Sequence, residues 1–301
     1  MNKKILFLLC GLLAGMLCYG FGIAVQGPVE KKEFKLGAFK KIDVQTQYNV
    51  YLKQGDREQI TVETYKSIMP YVTVRKNAYG LVVSLDRKLR NIRWMNHDKI
   101  LNVYITVKDL DEIRLSGACD MHMLNDLQAD QIQIRASGAS DLFLKKINAK
   151  EIRVLTSGAS DIKHGELIAD KKIYINASGA CDAFLSLNAP EIEVISSGSS
   201  DFDLAVQAGI LMLKSSGSSD FDVRGRATRL LASISGSSML QAEALHTEDV
   251  DISTSGTSES RVYVTGYLKA ESSGTASIYY TGEPRETSFR ISGVSSIRSG
   301  K

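Results

Sequence analysis

The sequence predicts an all-β chain folded as a single-stranded parallel β-helix, and three observations predict it. Ser-Gly pairs recur at near-constant spacing, apolar and polar residues alternate around each pair, and the composition is rich in glycine but poor in aromatic residues and proline. The ten glycines are Gly117, Gly138, Gly158, Gly179, Gly198, Gly217, Gly236, Gly256, Gly274 and Gly293, separated by 18 to 21 residues. A register kept over more than half the chain marks a solenoid, whose units stack because none can bury its apolar face alone. Such a unit is too short for two helices and a turn, and the alternation has the period of a strand. Each unit is therefore one coil, right-handed by the general habit of parallel crossovers. With 44% hydrophobic and 24% charged residues the chain can bury a core, while 24 Gly, 4 Pro and 1 Trp point to tight turns between aliphatic strands.

The chain opens with Met1-Asn-Lys-Lys and an uncharged run from Ile5 to Val25. Gly22-Ile23-Ala24 sets small residues where signal peptidase needs them, so residues 1–24 read as a signal peptide. The mature chain is then exported, to the periplasm, the outer membrane or the cell surface. The same run is long enough to span a bilayer, and a retained anchor is the second reading. Lipid attachment fits poorly, because bulky Leu8-Leu9 and Met16-Leu17 precede Cys10 and Cys18. Residues 25–35 read as a linker, 36–112 as strand-rich N-terminal coils that cap one end, and 113–301 as the regular β-helix. Removing Lys3 and Lys4 with the leader takes the net charge from +3 to +1, which leaves no global signal for nucleic acid.

Within 36–112 the strand patterns are irregular: 41–44, 48–53, 59–64, 72–75, 81–85 and 101–107. They suit first, looser turns over one end of the rod. In the repeats, counting from the Ser as zero, minus three is Ile113, Ile134, Val154, Ile175, Val194, Leu213, Ala232, Ile252, Ala270 and Phe289. Plus five and plus seven continue the apolar set with Leu142, Leu144, Phe202, Leu204, Phe221, Val223 and Val262, so odd offsets face inward on both sides of the glycine. A further apolar element, as in Ile147-Asn-Ala149 or Leu187-Asn-Ala189, gives at least two faces per coil. Plus three is always small and includes Cys119 and Cys181, three coils apart. At about 4.8 Å per coil they stand roughly 14 Å from one another, beyond the reach of a disulfide, and both are expected free. The C-terminal coils, with no helix or polar loop over the last of them, are expected to support a homo-oligomer through that open edge.

Gly37-Ala-Phe39-Lys-Lys-Ile42-Asp-Val44, Val50-Tyr-Leu52-Lys-Gln54-Gly55, Ile60-Thr-Val62-Glu63, Leu101-Asn-Val103-Tyr-Ile105-Thr and the repeated Ser-Gly-Ala-Ser-Asp follow the leader. In this combination, over about residues 36–298, the chain resembles the putative auto-transporter adhesin head GIN domain family. The resemblance implies an exported β-helix of the Bacteroidota-type cell envelope and supplies no catalytic residue. Repeats seven to ten depart from its acidic ending, as in Ser235-Gly-Ser-Ser-Met239, which confines any role of the aspartates to the first part of the rod.

Those aspartates, at plus four, are Asp120, Asp141, Asp161, Asp182, Asp201 and Asp220, an outward column of like charges. At about 5 Å two such charges repel by about 0.8 kcal/mol in water, so the column needs relief. Turn N–H groups accepted in the manner of Asx-turns are the favoured source, with partial protonation or a bound cation as the alternatives. Together with outward Ser and Thr at zero and plus two, the column makes a polar stripe whose simplest role is solvation, since no aromatic residues are read within it. Residues 86–99 form a basic, irregular stretch with the only Trp, and Arg87, Arg90, Arg93 and Trp94 are the candidate binding residues. The competing reading folds Trp94 back over the core. His97, His122, His164 and His246 occupy unrelated offsets and are not expected to cluster, and no nucleophile elbow, Cys-His pairing or phosphate loop is present. No cofactor or metal is expected. The reading is a non-enzymatic envelope adhesin or scaffold with a glycan or envelope protein as partner. The alternative is a carbohydrate-active enzyme, a polysaccharide lyase or hydrolase, which would need a deep cleft lined by carboxylates and a basic partner.

Overall fold

The computed structural model describes Val25, residues 27–89 and residues 98–300, with Arg87 by its backbone alone. These residues form a parallel β-solenoid, with two single-turn 3-10 segments, Met69–Tyr71 and Arg87–Leu89, as the only helical elements among them. Residues 1–24, read from the sequence as a signal peptide, and most of the basic stretch, including Arg90, Arg93 and Trp94, lie outside the described residues.

The N-terminal strands are β1 (Val29–Phe34), β2 (Lys41–Thr46), β3 (Asn49–Gln54), β4 (Gln59–Tyr65), β5 (Val72–Asn77), β6 (Gly80–Leu85) and β7 (Leu101–Val107). The first Ser-Gly coil begins with β8 (Glu112–Gly117) and β9 (Asp120–Met123). Space and sequence run in different orders here. β2 and β3 pair in parallel with β8 and β9 above them, and with β6 and β7 below. The lowest coil therefore comes later in the chain than the coil resting on it. Antiparallel strands finish the lower rim: β5 pairs with β6, and β4 with β7 and then β1. The outermost β1, Val-Glu-Lys-Lys-Glu-Phe, carries the charges that discourage further pairing at a sheet edge.

From β8 onward each coil pairs in parallel with the next, glycine over glycine from Gly117 to Gly236. The inward parity holds, with Ile134, Val154, Ile175 and Leu213 fully buried. Phe202 and Phe221 stack in the core with ring centroids 4.7 Å apart and planes 4° from parallel. In the longer coils two adjacent outward residues, Lys145-Lys146 and again Lys150-Glu151, interrupt the alternation. Each interruption turns a corner, and with the Ser-Gly corner these coils have three faces. Coil length explains where pairing is regular. The equal coils 183–198 and 202–217 pair without a break, whereas the longer ones absorb their extra residues as bulges, for example between Ile162 and Gly165.

The Ser-Gly corner requires glycine on two counts. All ten glycines have φ between 74° and 135°, and a Cβ on Gly179 would lie 2.2 Å from the carbonyl oxygen of Gly158. That carbonyl position is fixed by stacking: the residue after each glycine bonds the corner carbonyl of the coil below, as in Ala139 N–H to Gly117 O at 2.7 Å and Ser199 N–H to Gly179 O at 2.8 Å. The β2 coil has no Ser-Gly, and Thr46 stands beneath Gly117 in the corner column with φ 87°.

The plus-three column lies inside. Ser160 Oγ donates to Ser157 O at 3.1 Å, and the hydroxyls also accept from the coil below, as Cys181 N–H to Ser200 Oγ at 3.2 Å. Cys119 and Cys181 are free and buried, and burial pushes each thiol up to about 11. A thiol fits because the site asks for a small, weakly polar group.

Candidate binding face

On the sheet face that runs from β7 and β3 through β9 and upward, even offsets point out. One outward column is aromatic. Tyr104 lies under Tyr51 (centroids 4.9 Å, 14° between planes), Tyr51 under His122 (5.4 Å, 18°) and His122 under Phe143 (4.4 Å, 9°). Phe143 meets the edge of His164 at 5.9 Å. On the next coil Phe184 is 48% exposed, in register with Asp203 of the coil above. The expectation that the outer stripe lacks aromatics is overturned, and two of the histidines, His122 and His164, share the column, each against Phe143, while His246 meets Tyr263 elsewhere and His97 lies outside the described residues. His164 is at plus seven rather than plus six, but the bulge in its coil brings it opposite Phe143.

The aspartate column stands two residues away on the same outer face. Asp201 and Asp220 are direct register partners, and Asp120 continues over Asn49 of β3. For two of the aspartates relief comes from the coil above: Asp182 N–H donates to Asp161 Oδ1 at 3.0 Å and Met239 N–H to Asp220 Oδ1 at 3.1 Å. Lys163 adds a cation, 2.6 Å from Asp161 and 3.9 Å from Asp141. The carboxyls consequently diverge. Burial raises Asp161, but Lys163 and the Asp182 N–H more than offset it and hold the group below the usual range. Asp141 is raised by burial and by Asp120 and Asp161 despite Lys163, and Asp201 by burial and by Asp182 and Asp220.

A carboxyl raised in the folded state binds its proton more tightly there, so folding weakens as pH climbs through its titration. A lowered one contributes stability above its unfolded pKa and loses it as pH falls through the folded value. Asp201→Asn is thus expected to raise Tm at pH 7, with the gain disappearing on acidification through the carboxylate range, and Asp161→Asn to lower it. Thermal melts of the two variants between pH 3 and 7 check this; equal shifts of one sign would contradict it. Among the described residues no group of three or more His, Cys, Asp or Glu is arranged to hold a metal ion.

The foot of the face is closed by the antiparallel strands. Glu63 of β4 accepts from Tyr104 OH at 2.7 Å and Asn102 Nδ2 at 3.1 Å, and pairs with Lys31 of β1 at 3.2 Å. Lys31 also lies over the Tyr104 ring, 5.3 Å from its centroid. Burial and the Glu63 bond push the Tyr104 hydroxyl up to about 12.

The stacked rings spend most of their faces on one another and show solvent their edges and heteroatoms. Phe184 offers an open ring beside Asp182 and Asp201. Of the residues 86–99, the Arg87–Leu89 turn is anchored by Leu89, which is buried, and by Lys88 N–H to Asp86 Oδ1 at 2.9 Å. Elsewhere the surface is shallowly indented. A depression of about 660 Å³ lies on the neighbouring face between Arg114, Arg135, Asp43 and Asn176. A second, of about 560 Å³, is lined by Lys41, Asp111, Glu112, Asp130 and Glu151. Three of its carboxylates are engaged: Glu112 with Arg114 at 2.6 Å and Lys41 at 3.4 Å, Asp130 with Lys150 at 2.5 Å, Glu151 with Lys171 at 3.9 Å.

Two solved structures share this architecture. A putative adhesin from Parabacteroides merdae ATCC 43184 aligns with TM-score 0.55 and 18% identity, covering 93% of this chain and 99% of its own. A putative adhesin from Parabacteroides distasonis ATCC 8503 aligns with TM-score 0.50 and 17% identity, over 93% of this chain and 100% of its own. None of the curated proteins matches the chain. A family model described as "Putative auto-transporter adhesin, head GIN domain" matches residues 38–184 and 171–284, which takes in both the out-of-order lower coils and the Ser-Gly repeats. The chain therefore belongs to the head GIN domain family of putative auto-transporter adhesins.

Proposed function

We propose that this protein is a non-enzymatic adhesin or scaffold of the cell envelope, exported by its leader, and that it binds a hydroxyl-rich glycan along the face shared by the aromatic and aspartate columns. One observation carries the reading: rings and carboxylates run side by side on four successive coils, as Asp120 with His122, Asp141 with Phe143, Asp161 with His164 and Asp182 with Phe184. Sugars present hydroxyl donors and apolar C–H patches. Charged acceptors make the stronger hydrogen bonds, and a rigid repeating face supplies them at fixed intervals that match a repeating ligand. Phe184 gives an open ring platform on the column, with Asp182 and Asp201 as acceptors. Membership of an adhesin family supports the non-enzymatic part. So does the state of the carboxylates in the larger depressions. Burial raises Glu112, but Arg114 and its neighbours take it below the usual range, and Lys150 lowers Asp130; a general acid needs the opposite shift.

A glycan array probed with the native chain is expected to give a defined set of ligands. Affinity for them should fall at least tenfold in Phe184→Ala and in the pair Asp141→Asn, Asp161→Asn, while Lys214→Ala on another face leaves it unchanged. Binding that survives both face variants, or no glycan bound by the native chain, would sink the assignment.

A further inference from the structure

The upper end of the rod differs from the lower one. The last long strand, Glu286–Ile291, pairs in parallel with Tyr267–Ser272 on one side only, and among the described residues nothing pairs with its other edge. Ser292 N–H bonds Ser272 O at 3.0 Å. Backbone groups alternate along a strand, so the even residues serve that neighbour, and Thr287, Phe289 and Ile291 direct their N–H and C=O groups to the open edge. Phe289 has the inward parity of its column yet is 44% exposed, because no coil among the described residues covers it; Ile291 is 51% and Val294 85% exposed. No charge or proline interrupts the positions whose backbone groups are open, unlike the lysine-bearing β1 at the lower rim.

The strand is also complementary to itself. Read as Glu286-Thr-Ser-Phe-Arg290, it places opposite charges symmetrically about Ser288. Two copies meeting antiparallel about a two-fold axis at Ser288 would set Glu286 against Arg290 of the other copy, twice. The same register makes Thr287 and Phe289 the mutually hydrogen-bonded pair, which is the parity the open edge offers. Arg290 is free enough to serve, with its side chain 79% exposed and only a 3.6 Å contact to Glu271. Moving the axis by one residue keeps neither ion pair.

We propose that this edge is an end-to-end homodimer interface, in which Glu286–Ile291 pairs antiparallel with the same strand of a second copy and the two open cores close on each other through Phe289. The interface is isologous, so it closes after two copies and does not grow into a fibre. Opposite-charge cross-strand pairs and the covered Phe289 supply the attraction that a bare edge lacks.

Charge exchange tests the register. Protein recovered from expression of the full chain is examined by light scattering coupled to size exclusion, with circular dichroism to verify the fold. The native chain is expected at twice the chain mass. Glu286→Arg alone and Arg290→Glu alone each place like charges opposite one another and are expected at the monomer mass. The double variant, and an equimolar mixture of the two single variants, should return to the dimer mass. A native monomer would overturn the proposal, since the edge would then serve some other occupant. A dimer indifferent to the single charge reversals would overturn it equally, by placing the contact elsewhere.

Discussion

Gly179→Ala is expected to destabilise the chain by about 2–6 kcal/mol, combining roughly 1–3 kcal/mol for a forced positive φ with about 1–3 kcal/mol for overpacking. The Cβ would lie 2.2 Å from Gly158 O, which is backbone and cannot rotate away. The same carbonyl belongs to the corner ladder that holds successive coils together, so the damage is expected to spread to the coil below. The inverse change has the opposite sign. Thr46 occupies the equivalent corner of the β2 coil with φ 87°, and Thr46→Gly is expected to stabilise by about 1 kcal/mol through relief of that strain. Urea titrations of both variants read the difference; a neutral Gly179→Ala would show that the corner tolerates a side chain.

The second large effect is in the core. Phe202 and Phe221 are 2% and 1% exposed and lie face to face one coil apart. Phe221→Ala is expected to cost about 3–5 kcal/mol, the lost transfer energy plus the cavity it leaves. Phe202→Ala should cost a similar amount, and the double variant less than the two together, by about 0.5–1.5 kcal/mol for the ring pair. Simple additivity in a double-mutant cycle would mean that the rings do not touch in solution.

How much of this was legible in the residues depended on whether the information was periodic along the chain. The Ser-Gly register exposed the coil length, the stacking and the inward parity, because one backbone requirement recurs in every coil. The lower coils gave no such sign. Their corner residue is Thr46, so a register keyed on Ser-Gly passes over β2 and β3, and nothing local says that β6 and β7 stack beneath strands that precede them. The third face was hidden for a similar reason, since Lys145-Lys146 reads as an irregularity until pairing shows it to be a corner.

The aromatic column shows both cases at once. His122, Phe143 and Phe184 all sit at plus six, a constant offset that aligned repeats reveal. Tyr51 and Tyr104 belong to the out-of-order coils, and His164 is displaced by a bulge, so no fixed offset finds them. The aspartate column was legible as a column, but its relief was not. The donors Asp182 N–H and Met239 N–H come from the next coil, and such bonds exist only once the register between coils is fixed. Phe289 illustrates the converse: its offset correctly marks it as inward, and it is exposed only because its coil is the last described.

The claim on which the face, the corner and the core all rest is that plus-four residues of successive coils are immediate neighbours. Disulfide trapping measures it most directly, with Cys119 and Cys181 replaced by Ser, the residue that fills their column elsewhere. Under mild oxidation the pairs Asp120→Cys with Asp141→Cys, and Asp141→Cys with Asp161→Cys, should cross-link readily, because adjacent strands stand about 4.8 Å apart and a disulfide spans about 4.4–6.8 Å between Cα atoms. The pair Asp120→Cys with Asp161→Cys, two coils apart at about 9.6 Å, should stay reduced. Cross-linking of the distant pair at the rate of the near ones, or of none of the three, would contradict the stacked column.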